Sequence, residues 1–311
     1  MKRKKVVIAL GGNALGKGVE EQRKAVAKTA KVIVNLAQQG LDMIVTHGNG
    51  PQVGMIQDAM DEYVYHHKDY GPTPLPTSVA MSQGYIGIDL QNAIKYELYK
   101  RNLDIKVSTI LSQVEVDPED PAFENPTKPI GQFMTKEEAK EREKNGVVCI
   151  EDSGRGYREV VASPQPKRIR ELETIRTLVN AGHIVITCGG GGIPVINQDG
   201  KLEGVNAVID KDRVSSLLAS QIDADYLIIL TAVEKVAIHF GKEDQEWISD
   251  MSVEQARDYM QKGEFPEGSM LPKIQAAIAF AESQKGRETL ITLLEKASEG
   301  IQGKTGTRIH Q

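Results

Sequence analysis

The chain has 311 residues, of which 40% are hydrophobic and 26% charged, the balance of a globular protein with a substantial core. Its formal net charge of −5, with acids and bases mixed along the chain, argues against nucleic acid as the main partner, because proteins that bind the phosphate backbone usually carry a basic patch. Two cysteines are too few for a disulfide framework, and no apolar run approaches the roughly 20 residues of a membrane helix, so we expect a cytoplasmic protein.

Short apolar runs alternate with segments of helical periodicity along most of the chain. We expect strands, in chain order, at residues 6–10, 41–46, 105–111, 183–188, 226–231 and 289–293. We expect helices around residues 26–37, directly after the loop at 47–51, and at residues 77–101, 167–181, 213–221 and 273–283. This alternation favours a largely parallel sheet covered by helices on both faces, with the loops at the strand ends gathered at one edge.

Residues 117–163 differ in character from the rest of the chain. Four prolines and several acids at residues 117–129 exclude both a core strand and a long helix there. Residues 135–144 predict a short, highly charged helix, and residues 147–150 and 157–161 predict a hairpin. We expect this segment to protrude from the main domain.

Three glycine-rich loops each follow a predicted strand: Gly11-Gly12-Asn13, Gly48-Asn49-Gly50 and residues 189–192. Glycine lets backbone N–H groups approach an anion, and a helix that begins just beyond adds a favourable dipole. One such loop alone can equally be a tight turn, but three in this context favour binding of a phosphate or acyl phosphate. Neither GxxxxGK[ST] nor GxGxxG follows the first strand, so the positive charge must come from elsewhere.

Three lysines in rigid surroundings are candidates for that positive charge. Lys273 enters a helix directly behind a proline, and Lys211 lies between Asp210 and Asp212 just before another helix. Lys128 is flanked by prolines that stiffen its loop. Most lysines are solvated surface residues, so each of these three, taken alone, is more often a surface lysine than a functional one.

Seven segments span nearly the whole chain in a characteristic order: ALGGNAL (9–15), HGNGPQVG (47–54), NPTKPIG (125–131), EDSGRGYREVVASP (151–164), CGGGGIPV (188–195), VIDKD (208–212) and GSMLPK (268–273). In these segments the chain resembles the carbamate kinases of the amino acid kinase superfamily. The glycine–asparagine loop and the late Pro-Lys helix are shared across that superfamily, whereas NPTKPIG and IDKD in this arrangement are typical of carbamate kinases. The resemblance implies one domain over residues 1–311, a three-layer αβα sandwich with a mainly parallel open sheet and a small protruding subdomain.

The same resemblance implies reversible phosphoryl transfer between carbamoyl phosphate plus ADP and ATP plus carbamate. It implies Mg²⁺ that accompanies the nucleotide, with no metal-ligating residue assigned, and a homodimer. Residues 1–212 would form a lobe for carbamate or carbamoyl phosphate, with the protruding subdomain at about residues 117–163, and residues 213–311 would form a nucleotide lobe. The expected direction is towards ATP, in arginine, agmatine or purine-derived catabolism.

Carried over position by position, the resemblance assigns roles to individual residues. The substrate-binding residues would be Gly11, Gly12, Asn13, Gly48, Asn49 and Gly50. The catalytic residues would be Lys128, Lys211 and Lys273, with Asp212 orienting lysines rather than acting as a base. The nucleotide would contact Asp210, Lys211, Thr231, Val233, Met270 and Lys273. Ala232 stands where the resemblance leads us to expect a glycine, a conservative departure at the edge of the nucleotide pocket. We expect His47 to shape its loop.

Three alternatives differ in what they require of the sequence. Another member of the superfamily, acting on a different small carboxylate or on UMP, should lack the NPTKPIG segment. A nucleotide-binding module without turnover should lack Lys211, Asp212 or Lys273, all of which are present. A purely structural α/β protein leaves the three glycine loops unexplained.

Overall fold

The computed structural model of the chain describes residues 3–11, 15, 18–144, 146–152 and 154–311. The strands within these residues are β1 (Lys4–Leu10), β2 (Leu41–His47), β3 (Val107–Thr109), β4 (Gln113–Val116), β5 (Lys128–Met134), β6 (Cys149–Glu151), β7 (Tyr157–Val161), β8 (Pro166–Ile169), β9 (Ile184–Ile186), β10 (Ile193–Gln198), β11 (Lys201–Gly204), β12 (Tyr226–Thr231), β13 (Val236–Ile238), β14 (Glu246–Ile248), β15 (Asp250–Ser252), β16 (Glu288–Leu293) and β17 (Thr307–His310). The helices are α1 (Val19–Gln38), α2 (Gly50–His66), α3 (Leu75–Lys100), α4 (Lys136–Lys144), α5 (Leu172–Asn180), α6 (Lys211–Gln221), α7 (Val253–Gln261), α8 (Leu271–Ser283) and α9 (Ala297–Ile301). None of these helices is both long and apolar enough to span a bilayer.

The central sheet has eight strands among the described residues, in the order β15-β17-β16-β12-β1-β2-β9-β3. Strand β1 pairs in parallel with β2 and β12, and β9 pairs in parallel with β2 and β3. Strand β17 runs antiparallel to β16 near one edge. Because parallel strands end at the same edge of a sheet, the loops after β1, β2 and β12 lie together.

Strand β1 shows why the central sheet is covered on both faces. The side chains of Val7 and Ala9 pack into a core with α6 and α8, whereas Val6, Ile8 and Leu10 pack into a second core with α1 and α3. All five side chains are fully buried. Burial on both faces explains the uninterrupted apolar run, which is typical of a parallel strand. The predicted αβα sandwich with a mainly parallel sheet is therefore confirmed.

Two predicted elements need correction. The helix predicted at residues 167–181 is wrong at its start, because residues Pro166–Ile169 form β8, which pairs antiparallel with β4, and α5 begins only at Leu172. The strand predicted at residues 105–111 is shorter than expected, since only Val107–Thr109 pair with β9 and Leu111 is 53% exposed. Local alternation could not reveal which of these residues find a neighbouring strand.

Strands β5, β7 and β6 form a separate antiparallel sheet, called the small sheet below. The hairpin predicted at residues 147–150 and 157–161 is confirmed as β6 and β7. Strand β5 was not predicted because of its proline, which is tolerated since β5 is an edge strand. The small sheet lies on α2: a methyl group on Gly54 would be 2.1 Å from the Cα atom of Gly131, so the two backbones touch.

Candidate active site

A cavity of about 930 Å³ opens where the loop after β2 meets the small sheet. Its wall is formed by Gly48 and Asn49, by the first turns of α2, α6 and α8, and by residues of β5 and β7. This volume is at the upper end of the range typical of ligand sites, and it is sufficient for a nucleotide or for two small anions.

The cavity is cationic, although the chain as a whole is acidic. Its charged lining among the described residues comprises five cationic side chains (Lys128, Arg155, Arg158, Lys211 and Lys273) and three anionic ones (Asp152, Asp210 and Asp212). Three helices also begin there, and each helix amino terminus carries a partial positive charge. Positive charge is thus concentrated at one site, as an anionic ligand requires.

Lys211 and Lys273 share the carboxylate of Asp212. The Nζ atom of Lys211 lies 2.5 Å from Oδ1 of Asp212, and that of Lys273 lies 2.9 Å from Oδ2. The Asp212 side chain is only 3% exposed. Both carboxylate oxygens therefore accept hydrogen bonds from ammonium groups, a geometry that suits an orienting residue and not a general base.

Burial and ion pairing act in opposite directions on the pKa values of these three groups. Burial lowers the pKa of Lys211, and attraction to Asp212 opposes this effect without cancelling it. Burial also acts to lower the pKa of Lys273, but the charge and hydrogen bond of Asp212 outweigh it and raise the pKa. Burial alone would raise the pKa of Asp212, yet the two ammonium groups lower it. Lys273 and Asp212 are therefore ionised at neutral pH, and Lys211 loses its proton more readily than Lys273.

Asp210 connects the small sheet to α6. Its Oδ2 atom accepts a hydrogen bond from Lys128 Nζ at 2.5 Å. Its Oδ1 atom accepts from the backbone N–H of Asp212 at 2.9 Å and of Arg213 at 3.4 Å, so Asp210 is the amino-terminal cap of α6. Burial acts to raise the pKa of Asp210, but Lys128 and Lys211 together lower it. Lys128, at the start of β5, thus joins the group of charges that contains Lys211.

The glycine loop after β2 lies beside Lys211. The backbone N–H of Gly48 donates to the carbonyl of Leu10 at 3.3 Å, and a methyl group on Gly48 would be 3.4 Å from Cδ of Lys211. Gly11 follows β1, and its N–H donates to the carbonyl of Leu230 at 3.1 Å. Gly12 and Asn13, both predicted substrate-binding residues, lie outside the described residues.

The third glycine loop, at residues 189–192, supports the second. Gly190 has a φ of +64°, and a methyl group there would lie 2.1 Å from Nδ2 of Asn49. That amide nitrogen donates to Oγ of Ser82 at 2.9 Å, which fixes the Asn49 side chain.

His47 is fully buried beside this loop, and burial lowers its pKa to about 4, so its ring is neutral at pH 7. Its Nδ1 atom lies 2.9 Å from the carbonyl oxygen of Gly48, a contact that agrees with the predicted loop-shaping role.

The residues predicted to bind the nucleotide fall into two groups. Three line the cavity and three do not: Asp210, Lys211 and Lys273 line it, whereas Thr231, Val233 and Met270 lie outside it. Thr231 ends β12 next to Gly11, since a methyl group on Gly11 would be 3.9 Å from the Cα atom of Thr231. Met270 precedes α8 and packs against the core on that face of the central sheet.

Two arginines near the tip of the small sheet, Arg155 and Arg158, were not predicted from the sequence to take part in the site. The Arg158 side chain is 15% exposed, its Nη2 donates to the carbonyl of Gly131 at 3.0 Å, and its Nη1 lies 3.4 Å from Asp152. A methyl group on Gly50 would be 3.9 Å from that Nη2, so Arg158 reaches the glycine loop. Arg155 also lines the cavity. The signal was available in the GRGYR spacing, which predicted only a hairpin turn.

Known proteins resemble this chain over nearly its whole length. A model of the amino acid kinase family matches residues 4–292. Carbamate kinase-like protein YqeA of Escherichia coli (strain K12) is 56% identical over 99% of both chains. Carbamate kinase of Staphylococcus haemolyticus (strain JCSC1435) is 48% identical over 98% of this chain and 99% of that relative. A solved structure of carbamate kinase from Giardia lamblia bound to citric acid has a TM-score of 0.93 at 39% identity, covering 99% of this chain and 98% of the other.

Proposed function

The chain belongs to the amino acid kinase family, and we propose that it acts as a carbamate kinase. The reaction is reversible phosphoryl transfer between carbamoyl phosphate plus ADP and ATP plus carbamate. The observation that carries this proposal is the meeting of three lysines with two aspartates beside a glycine loop. Lys128, Lys211 and Lys273 come from three distant parts of the chain and converge on one cavity.

The chemistry of the substrate suits this arrangement of charges. Carbamoyl phosphate has little apolar surface, so charge and directed hydrogen bonds must supply affinity and orientation. In the direction of ATP synthesis, a β-phosphate oxygen of ADP attacks the phosphorus, the bond from phosphorus to the carbamate oxygen breaks, and carbamate leaves as an anion. Both nucleophile and leaving group are oxyanions, so no catalytic base is required. Asp212 agrees with this mechanism, because both of its carboxylate oxygens accept hydrogen bonds from lysines and neither is free to take up a proton.

Electrostatic stabilisation is then the main task of the protein. Negative charge in the transition state spreads over the oxygens of the transferred phosphoryl group. Fixed cations close to those oxygens stabilise this charge without reorganising during the reaction. We assign this role to Lys211 and Lys273, and we assign Lys128 to the phosphate of carbamoyl phosphate, because it is the lysine that the small sheet contributes.

The remaining predicted residues divide between the two substrates. We assign residues 11–13 and 48–50 to carbamoyl phosphate, within a lobe of residues 1–212. We assign Thr231, Val233 and Met270 to the nucleotide, within a lobe of residues 213–311. Arg158 adds a further cation beside the glycine loop at residues 48–50, which supports placing the acyl phosphate there.

Mg²⁺ belongs to this proposal as a companion of the nucleotide. The part of the chain that the structure describes contains no cluster of three or more His, Cys, Asp or Glu residues that could hold a metal. Asp210 and Asp212 already accept hydrogen bonds from lysines. With both carboxylates occupied in this way, we expect the phosphate oxygens of the nucleotide to be the main ligands of Mg²⁺. The metal ion would then neutralise part of the charge of those phosphates. On the resemblance alone, we further propose that the protein is a cytoplasmic homodimer. We also propose that its reaction proceeds towards ATP synthesis in arginine, agmatine or purine-derived catabolism. Sedimentation of the purified protein tests the dimer.

A coupled assay of ATP formation from ADP tests the proposed function directly. Carbamoyl phosphate and acetyl phosphate are compared at equal concentrations with Mg²⁺, and a reaction without enzyme corrects for spontaneous decay. We expect a higher kcat/KM with carbamoyl phosphate. A preference for acetyl phosphate would indicate another small carboxylate as the natural substrate, and no ATP from either donor would refute kinase activity.

A further inference from the structure

Three charged side chains join the small sheet to the main domain outside the cavity described above. Arg142 on α4 donates through Nη2 to Oδ1 of Asp58 on α2 at 2.8 Å, and through Nη1 to Oε2 of Glu159 on β7 at 3.2 Å. One guanidinium group therefore bridges carboxylates on two different elements. A smaller cavity of about 310 Å³ lies beside this bridge, and all three residues are among those that line it.

The main-domain partner of this bridge belongs to the helix that begins at the glycine loop. Helix α2 begins at Gly50, and Asp58 lies eight residues further along, about 12 Å away at the rise of an α-helix. Between them, Gly54 is in backbone contact with Gly131 of β5. Gly131 has a φ of +66°, so glycine is required there by the local backbone as well. The contacts of the small sheet with α2 thus include a steric one at Gly54 and an ionic one at Asp58.

The other partner belongs to the strand that carries a cavity arginine. Neighbouring side chains in a strand point to opposite faces, so Glu159 faces Arg142 while Arg158 lines the active-site cavity. In the β5–β7 ladder, Glu159 pairs with Ile130 and Val161 pairs with Lys128. A contact that fixes Glu159 therefore also fixes the backbone that carries Lys128 and Arg158.

The electrostatic surroundings of Glu159 require the arginine. Burial raises the pKa of this carboxyl group, the negative charges of Asp58 and Asp61 raise it further, and Arg142 opposes them. Without the arginine, Asp58 and Glu159 would repel each other across the contact between α2 and the small sheet. The side chains of Asp58 and Arg142 are 43% and 41% exposed, and ion pairs at that exposure are individually modest. Loss of the bridge should therefore shift the position of the small sheet without unfolding the protein.

We propose that Arg142 is a positioning residue for phosphoryl transfer. By bridging Asp58 and Glu159, it holds the small sheet on α2 and so sets where Lys128 and Arg158 stand relative to the glycine loop. The inference rests on the proposed function for its kinetic consequence. It assigns to the small sheet a fixed point of attachment that lies outside the substrate cavity.

Steady-state kinetics of Arg142→Gln, with Lys144→Gln as the matched control, test this positioning role. Lys144 lies on the same helix, and within the described part of the chain its ion pair is with Glu141 of that helix. For Arg142→Gln we expect the KM for carbamoyl phosphate to rise about fivefold, because an ion pair of this exposure shifts an equilibrium by a factor of that order. The KM for ADP should stay within twofold, since Lys211 and Lys273 belong to the main domain. Both KM values within twofold of the wild type would overturn the proposal.

Two further variants separate positioning from general loss of stability. Arg142→Lys keeps the charge and should recover at least half of the lost carbamoyl phosphate affinity. Asp58→Asn should raise the same KM, and the double variant Asp58→Asn/Arg142→Gln should be no worse than Arg142→Gln alone, because both changes break one bridge. Independent, multiplying effects in the double variant would count against a shared bridge.

Hydrogen exchange provides a readout that does not depend on activity. In Arg142→Gln, backbone amides of β5 and β7 should exchange at least threefold faster than in the wild type, while those of β1 and β12 should not change. Unchanged exchange in β5 and β7 would overturn the attachment itself. Faster exchange combined with a wild-type enzyme that makes no ATP from carbamoyl phosphate would instead refute the proposed function and leave the attachment supported.

Discussion

Replacing Lys273 by alanine removes one of the two ammonium groups that Asp212 holds. A unit charge about 4 Å from another is worth roughly 4 kcal/mol at an effective dielectric constant near 20. The Lys273 side chain is only 14% exposed, so water can replace little of that interaction. We therefore expect kcat to fall about 10²- to 10³-fold, or ~3–4 kcal/mol, similar to the loss of one oxyanion donor.

The lost charge should also change its neighbour. Lys273 is one of the groups whose like charge lowers the pKa of Lys211, after the larger effect of burial. In Lys273→Ala the pKa of Lys211 should therefore rise, and any alkaline limb of the rate profile that reports Lys211 should move to higher pH. Asp212 keeps one ammonium partner, so the variant should remain folded.

Initial rates of ATP formation from carbamoyl phosphate and ADP, both saturating, measure this effect. Lys285→Ala is a suitable control, because Lys285 is an exposed lysine just beyond the end of the same helix and does not line the cavity. We expect the control to stay within twofold of the wild type. A kcat within threefold of the wild type for Lys273→Ala, and likewise for Lys211→Ala, would refute the electrostatic argument.

Three other predictions concern the parts that surround these lysines. Lys128→Ala should raise the KM for carbamoyl phosphate and also slow turnover, and unchanged steady-state kinetics would remove Lys128 from the site. Gly54→Ala should disturb the contact of α2 with β5, because the new methyl group would lie 2.1 Å from the Cα atom of Gly131. We expect a lower Tm and a higher KM for carbamoyl phosphate. If neither the Tm nor this KM changed, the close contact would be contradicted. His47 should destabilise the fold in acid, because burial lowers its pKa from about 6.5 to about 4 in the folded protein. The unfolded chain therefore binds the proton first as the pH falls. The free energy of unfolding should decrease between about pH 6.5 and pH 4, by up to ~3 kcal/mol. Urea unfolding of the wild type and His47→Gln at pH 7 and pH 4.5 checks this, and an equal pH dependence of the two would contradict it.

Elements with a strong periodic signal were predictable from local sequence. The strand at residues 226–231 matches β12 residue for residue, and the helix predicted at residues 273–283 is found as α8 (Leu271–Ser283). These elements depend on their own side-chain pattern and on short-range backbone preferences. Short strands such as β4 and β17 were not predicted, because β4 pairs with β8 and β10, and β17 pairs with β15 and β16, none of which is joined to it by a tight turn.

The candidate site shows the same division. Residue types and order were enough to make Lys128, Lys211 and Lys273 candidates, because flanking prolines, flanking acids and a proline before a helix are local features. The orienting role of Asp212 was implied only by the family resemblance. Local features contain no information about which side chains meet. Only the folded chain shows that the buried carboxylate of Asp212 accepts one hydrogen bond from Lys211 and one from Lys273, which is 61 residues further along the chain.

The sequence by itself determined the class of the fold, the buried strands, the glycine turns and the chemical character of the site, since all of these follow from side chains acting over a few residues. Only the tertiary structure shows that Arg158 lines the cavity, that the loop at residues 189–192 packs against Asn49, and that Arg142 bridges α2 and β7. Such contacts depend on how separate elements pack, and packing is set by the shape and charge of surfaces that are far apart along the chain.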